Sequence, residues 1–110
     1  GQIEGGVAMG LGYALMENVV VDEGHIQNLG LENYLIPTSL DVPNIKSIIL
    51  EVKNKYGPYG AKGIGEMPNI PATPAIINAI ANTCGARVRS LPADPEGVFW
   101  AIREAEEQSE

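Results

Sequence analysis

The chain of 110 residues has few of the side chains that metal sites and nucleophilic catalysts require: it contains one cysteine, Cys84, and one histidine, His25. A single cysteine excludes an internal disulfide framework and a zinc site built from several cysteines. It fits a reducing compartment, so we expect a cytoplasmic protein. A serine or cysteine hydrolase would need a histidine partner, and His25 lies among charged turn residues, where a solvated surface role is expected.

Positive charge and long apolar runs are also scarce. Seven Lys and Arg residues stand against fourteen Asp and Glu, giving a formal net charge of −7 and a pI near 4.6. Such a chain does not neutralise phosphates, so neither nucleic acid nor an anionic membrane surface is an expected partner. No apolar stretch approaches the roughly 20 residues of a membrane helix, and no secretory leader pattern occurs. With 45% hydrophobic residues, the chain is sufficient for one modest core.

The first residues combine a helical pattern with many glycines. Apolar residues at three- and four-residue steps predict a helix over about residues 2–17, interrupted by four glycines. Each glycine costs roughly 0.8–1 kcal/mol relative to alanine inside a helix, so close packing has to compensate. A helix crossing through Gly6 and Gly10, or a bound cofactor, would do so. Because the chain opens on Gly1 and not on methionine, we expect a piece of a longer protein.

Strand patterns occupy the middle of the chain. Residues 19–26 read as two short strands joined by a turn, which predicts a β-hairpin. Alternating polar and apolar residues over 47–53 predict a strand with one apolar face. Residues 87–89 are a further, shorter candidate.

Two more helices are predicted from their end signals. Thr73 is a candidate N-cap with Pro74 at the first helical position, and Gly85 is a typical helix end. Asp94, followed by proline, begins a last helix. The elements together predict an α/β fold in which about three helices cover a mixed sheet.

A glycine-rich loop over residues 60–69 holds one carboxylate, Glu66, just ahead of a proline-marked helix start. Three glycines in six residues allow the backbone to approach a bulky partner closely. An acidic side chain held among Ile64, Met67 and Ile70 would lose water and become a stronger base. The loop therefore predicts a general base beside a large ligand.

Two other glycine-loop chemistries do not fit. A phosphate-binding loop needs Ser or Thr after its lysine, whereas Lys62 is followed by Gly63. The glycine order also departs from the dinucleotide fingerprint. What remains is an acid/base carboxylate near a ligand held mostly by backbone and amide groups.

Five motifs occur in order along the chain: Gly-Gln-Ile-Glu-Gly-Gly at 1–6, Gly-Leu-Gly at 10–12, Tyr-Leu-Ile-Pro-Thr at 34–38, the loop over 57–66, and Pro-Ala-Ile-Ile-Asn-Ala-Ile at 74–80. Together they resemble the C-terminal part of the large subunit of molybdenum hydroxylases, the xanthine dehydrogenase and aldehyde oxidase family. The resemblance implies that residues 1–110 are a C-terminal fragment of the molybdopterin-binding domain.

The resemblance also implies specific roles for two side chains. Glu66 would be the catalytic general base, taking a proton from a molybdenum-bound hydroxide that attacks an electron-poor carbon of a purine, aldehyde or N-heteroaromatic substrate. Gln2 would hydrogen-bond the pterin of the molybdenum cofactor through its amide. No protein metal ligand is expected, because the pterin dithiolene holds molybdenum in this family. The family usually has proline where Met67 stands, so the backbone beside Glu66 is less restricted here.

Catalysis by such a fragment would require partners. The implied ones are the remainder of the molybdenum-binding subunit, a small-molecule substrate, and iron–sulfur clusters and FAD on other domains or subunits, since the chain has no cysteine pattern for a cluster. Alone, the chain is expected not to turn over. The alternative is a non-catalytic folded fragment that self-associates as a homo-oligomer through exposed apolar surface. The sequence assigns no specific role to Lys62, which is expected to be solvated or to cap a backbone carbonyl.

Overall fold

The computed structural model describes residues 1–108 and contains three helices, one short hairpin and a 3₁₀ turn. In chain order these are α1 (Gln2–Leu15), β1 (Val21–Asp22), β2 (His25–Ile26), the 3₁₀ turn (Pro58–Gly60), α2 (Asn69–Cys84) and α3 (Pro95–Glu107).

Helices α1 and α2 pack directly against each other through glycines. A Cβ atom added to Gly6 would lie 2.7 Å from Cβ of Pro68, and one added to Gly10 would lie 2.5 Å from Cβ of Ala72. The Thr73 hydroxyl donates a hydrogen bond of 2.9 Å to the Gly10 carbonyl. Because the contacts advance in the same direction along both helices, α1 and α2 run parallel. The predicted helix crossing through Gly6 and Gly10 is confirmed.

The start of α2 differs from the prediction. The helix begins at Asn69, so Pro74 lies within it and Thr73 is not its N-cap. Pro71 falls in the first turn, where backbone N–H groups have no partner within the helix, and a proline there removes no helical hydrogen bond. The Thr73 hydroxyl instead donates a hydrogen bond to the Gly10 carbonyl of α1. These residues are 63 positions apart, so sequence patterns around Thr73 could not predict the contact. The predicted end at Gly85 is confirmed, with a left-handed φ of 74°.

The hairpin of β1 and β2 is antiparallel, with Val21 opposite Ile26. Its turn residues Glu23 and Gly24 have φ values of 46° and 82°, as a two-residue type I′ turn requires. Among residues 1–108 this is the sheet that forms. Residues 47–53 and 87–89 have no strand assignment. The described residues therefore contain the three predicted helices and a two-stranded antiparallel sheet, and not a mixed sheet. A strand needs a neighbouring strand to complete its hydrogen bonds, and here the described segments supply none.

Little apolar surface is buried. The buried apolar side chains of the described chain are those of Ala14, Pro68, Ala86 and Ala93, and the Ala93 amide donates to the Ala14 carbonyl at 2.7 Å. Phe99 and Trp100 of α3 contact each other edge to face at 5.2 Å, yet both remain more than half exposed. The fold therefore leaves much of its apolar surface uncovered.

The third helix begins as predicted. Asp94 is its N-cap, and one carboxylate oxygen accepts a hydrogen bond of 2.7 Å from the Gly97 amide. None of the helices described, α3 included, combines the length and the apolar character needed to cross a bilayer.

Candidate functional site

A cavity of about 1140 Å³ lies between the start of α1, the extended segment 49–54 and the glycine-rich loop. Its lining includes Gln2, Lys62, Ile64 and Met67. Ligand pockets in proteins have volumes of roughly 300–1,000 Å³, so this cavity has room for a large organic ligand. The sequence predicted the loop and Gln2 as parts of a site, but it did not predict segment 49–54 as a wall. Its alternating apolar pattern indicated a strand instead.

Gln2 is the first residue of α1, and its side chain is exposed. Within residues 1–108 its amide has no hydrogen-bond partner, so its donors and acceptor are available to a ligand in the cavity. Gly6, one helical turn further along α1, is the residue that contacts Pro68 of α2. The position of Gln2 is therefore tied to the end of α2 where the glycine-rich loop enters.

Glu66 lies in the turn that leads into α2, and its backbone carbonyl accepts a hydrogen bond of 3.1 Å from the Asn69 amide. The Glu66 carboxylate is exposed and is not part of the cavity lining. Ile64, Met67 and Ile70 are themselves exposed, from 44% to 71%. The expected removal of water around Glu66 is therefore not provided by this chain. Its apolar neighbours in sequence do not fold over it, because no described element packs onto that side of the loop.

Parallel packing brings the two predicted site residues to one end of the helix pair. Gln2 lies one turn before the contact between Gly6 and Pro68, and Glu66 lies two residues before Pro68. The first N–H groups of each helix lack partners within the helix, and each N-terminus carries a partial positive charge. The two helix N-termini at this end would favour an anionic group on a ligand.

Two glycines of the loop have no packing reason to be glycine. A Cβ atom added to Gly63 or Gly65 would meet no atom within 4 Å, and neither residue has a positive φ. The fold of the described chain would accept alanine at both positions. Their bare backbone is consistent with the close approach of a group from outside the chain, so the loop fits a large cofactor.

Lys62 joins the loop to the opposite wall of the cavity. Its ammonium nitrogen donates a hydrogen bond of 2.9 Å to the Val52 carbonyl. This contact links the glycine-rich loop to segment 49–54. Of the two interpretations offered by the sequence, solvated or capping a backbone carbonyl, the structure supports the second.

In the portion described, no cluster of three or more His, Cys, Asp and Glu side chains is arranged to hold a metal ion. The polar groups available to a ligand at this site are the Gln2 amide and the backbone of the glycine-rich loop.

Comparison with known proteins shows which class of protein the chain resembles. The family described as molybdopterin cofactor-binding domain matches residues 1–43, the part that contains Gln2 and α1. A probable xanthine dehydrogenase subunit of Bacillus subtilis is 43% identical over 93% of this chain and 14% of its own length. A putative xanthine dehydrogenase molybdenum-binding subunit of Escherichia coli is 37% identical over 90% of this chain and 13% of its own.

Solved structures agree with these relatives. Quinoline 2-oxidoreductase from Pseudomonas putida superimposes with a TM-score of 0.85 at 37% identity, over 94% of this chain and 14% of that one. Aldehyde oxidoreductase from Desulfovibrio desulfuricans gives 0.80 at 44% identity, over 91% and 11%. The fold and the matched domain define a molybdopterin-binding protein. The chain belongs to the xanthine dehydrogenase and aldehyde oxidase family of molybdenum-binding subunits.

The match is to a small part of each relative. The chain spans about one seventh of the length of the curated relatives it matches, 14% and 13% for the two above. The matched domain is described as binding a molybdopterin cofactor, and the Escherichia coli relative is named as a molybdenum-binding subunit.

Proposed function

We propose that residues 1–110 are the C-terminal piece of the molybdopterin-binding domain of an enzyme that hydroxylates an electron-poor carbon with oxygen from water. The main support is the parallel packing of α1 on α2, with Gly6 against Pro68, because it holds the turn that carries Gln2 and the loop that carries Glu66 at the same end. The family relationship supplies the reaction class, and the cavity at that end supplies the room.

In this proposal the cofactor binds through polar groups that have no partner within residues 1–108. Gln2 donates and accepts hydrogen bonds in one plane toward the pterin. The backbone at Gly63 and Gly65 approaches the same ligand, since no Cβ atom intervenes. When bound, the cofactor supplies activation of a water-derived oxygen and accepts two electrons.

Glu66 acts as the general base. In the overall reaction the substrate carbon loses hydrogen and gains hydroxyl from water, two electrons pass to the iron–sulfur clusters and the flavin, and two protons are released. Glu66 takes the proton from the attacking oxygen. Its carboxylate is exposed in this chain, so we expect the remainder of the subunit to cover Ile64 and Met67 and exclude water. Exclusion of water makes a carboxylate a stronger base.

The partners follow from the same proposal. They are the remainder of the molybdenum-binding subunit, iron–sulfur and flavin subunits or domains, and a small molecule of the purine, aldehyde or N-heteroaromatic class. A second candidate is a non-catalytic piece that self-associates, and the many exposed large apolar side chains favour it. Molybdenum and pterin content of the purified protein separates the two, since only the first predicts both in stoichiometric amount.

The direct test is Glu66→Gln in the complete enzyme. Glutamine keeps the size of the side chain but cannot accept a proton, so we expect turnover to fall by roughly 10²–10⁴-fold while molybdenum content stays near normal. Glu104→Gln is the matched control, because Glu104 is an exposed glutamate on α3 outside the cavity lining. Unchanged turnover in Glu66→Gln would remove Glu66 from the mechanism.

A further inference from the structure

The extended segment 48–52 exposes a row of apolar side chains on one face. Along an extended chain successive side chains point to opposite sides, so Ile48, Leu50 and Val52 share one face, and Ile49 lies on the other face with Glu51. All four apolar side chains are at least two-thirds exposed, and Leu50 is 83% exposed. A strand with one apolar face is typical of a sheet that packs that face on a core.

The backbone of the segment is also incomplete. No strand of the described chain runs beside it. Apart from the Lys62 contact to the Val52 carbonyl, its backbone makes no hydrogen bond to the rest of residues 1–108. Backbone N–H and carbonyl groups buried with such apolar side chains would need partners. Pairing with a neighbouring strand in a covered sheet would supply the backbone hydrogen bonds and bury the apolar side chains.

A second copy of this chain is a poor occupant. All four lysines of the sequence, Lys46, Lys53, Lys55 and Lys62, lie close to the segment in sequence, and the chain as a whole carries a net charge of −7. Self-pairing would bring lysines together, and lysines on strand edges oppose association between identical chains. The remainder of the subunit is the better occupant, because this chain spans only 14% of a matched relative's length.

We propose that segment 48–52 inserts as a strand at the edge of a β-sheet supplied by the remainder of the molybdenum-binding subunit. Residues 49–54 form one wall of the cavity, and Lys62 ties Val52 to the glycine-rich loop. Docking of the strand would therefore fix the cavity wall and, through Lys62, the loop that carries Glu66. This inference rests on the proposed function only in requiring the remainder of the subunit.

Hydrogen exchange tests the strand directly. In the complete molybdenum-binding subunit, the amides of residues 48–52 should exchange slower by on the order of 10³-fold or more than in the 110-residue chain alone. Exchange of these amides at the rate of an unstructured peptide in the complete subunit would overturn the proposal. Protection that appears in the isolated chain and rises with its concentration would overturn it too, because the occupant would then be a second copy.

A matched pair of variants tests the apolar face of the segment. Leu50→Asp in the complete subunit should reduce the recovery of assembled, cofactor-containing protein at least about tenfold, because a carboxylate would be buried in the sheet layer. Leu40→Asp is the control, since Leu40 is 95% exposed and lies outside the segment; its recovery should be unchanged. Equal recovery of the two variants would refute the docking strand.

Two further measurements keep the outcomes separate. The 110-residue chain with Leu50→Asp should retain its helical circular dichroism, since Leu50 is 83% exposed in this chain. Loss of helicity would show that the side chain supports this chain's own fold and would count against the proposal. The Glu66→Gln subunit should assemble normally. Normal protection of residues 48–52 with full turnover in Glu66→Gln would reject the proposed base and leave the docking strand intact.

Discussion

Replacing the glycines of α1 one at a time measures how closely α1 and α2 pack. Gly5 and Gly6 are adjacent in the same helix, but their surroundings differ. A Cβ atom at Gly5 meets nothing within 4 Å, whereas one at Gly6 would lie 2.7 Å from Cβ of Pro68. Carbon atoms in contact prefer separations of about 3.5–4.0 Å. Gly6→Ala therefore requires the two helices to move apart by roughly 1 Å, because a proline ring on a helix cap cannot rotate away.

The magnitudes predict that Gly5→Ala stabilises the chain and that Gly6→Ala does not. Gly5→Ala should stabilise the chain by about 0.8–1 kcal/mol through helix propensity alone. Gly6→Ala gains the same amount but adds an overpacking cost of about 1–3 kcal/mol. The two variants should therefore differ by about 1–3 kcal/mol, with Gly6→Ala the less stable.

Urea unfolding followed by helical circular dichroism measures the free energy of unfolding of each variant. A double-mutant cycle of Gly10→Ala with Ala72→Gly adds a second check, because a Cβ atom at Gly10 would lie 2.5 Å from Cβ of Ala72. Removing that Cβ atom should give a favourable coupling energy of about 0.5–3 kcal/mol. If Gly6→Ala stabilised the chain as much as Gly5→Ala, the close parallel packing of α1 on α2 would be wrong.

Two other predictions concern the ends of α1 and α3. The Tyr34 hydroxyl donates a 2.7 Å hydrogen bond to a Glu17 carboxylate oxygen just after α1, and this bond, with desolvation and the charge of Glu17, raises the pKa of Tyr34 above 10.0. A raised folded-state pKa gives stability that is complete below pH 10 and is lost as the pH rises through the raised value. Tyr34→Phe should therefore lower the thermal midpoint of unfolding at neutral pH, and its difference from wild type should shrink in strongly alkaline buffer. A difference that stays constant across that pH range would contradict this prediction. Asp94→Ala removes the acceptor for the Gly97 amide at the start of α3 and should lower the free energy of unfolding in urea by about 0.5–2 kcal/mol. Asp94→Asn keeps an oxygen acceptor and should lower it much less. Equal losses for the two variants would argue against the N-cap.

The exposed state of Glu66 has a consequence for how activity would arise. A carboxylate in water is a weak base, and the apolar side chains of its own loop do not cover it. In the proposed function the base is therefore completed by assembly of the subunit and not by the fold of this chain. The docking of segment 48–52 and the covering of Glu66 would be two results of the same assembly, because Lys62 connects the segment to the loop.

Local signals in the sequence determined several elements of this protein. The hairpin over residues 19–26, the helix start at Asp94 and the helix end at Gly85 were predicted correctly, because each depends on backbone conformations and hydrogen bonds within three or four residues. The turn itself is shorter than predicted, because Asp22 and His25 pair in the strands and the turn residues are Glu23 and Gly24. The glycines at Gly6 and Gly10 also indicated a close helix crossing, since only tight packing offsets their cost within a helix. The order of the motifs identified the family.

The tertiary structure decided what depends on distant parts of the chain. Helix α2 begins at Asn69 and not at the predicted Pro74, because Thr73 hydrogen-bonds to α1 and does not cap α2. The tertiary structure left segment 48–52 unpaired, since a strand pattern specifies which faces are apolar but does not supply the neighbouring strand. It also left Glu66 exposed, because burial depends on what packs over a loop and not on the residues beside it in sequence. The catalytic role of Glu66 and the pterin contact of Gln2 stay predictions.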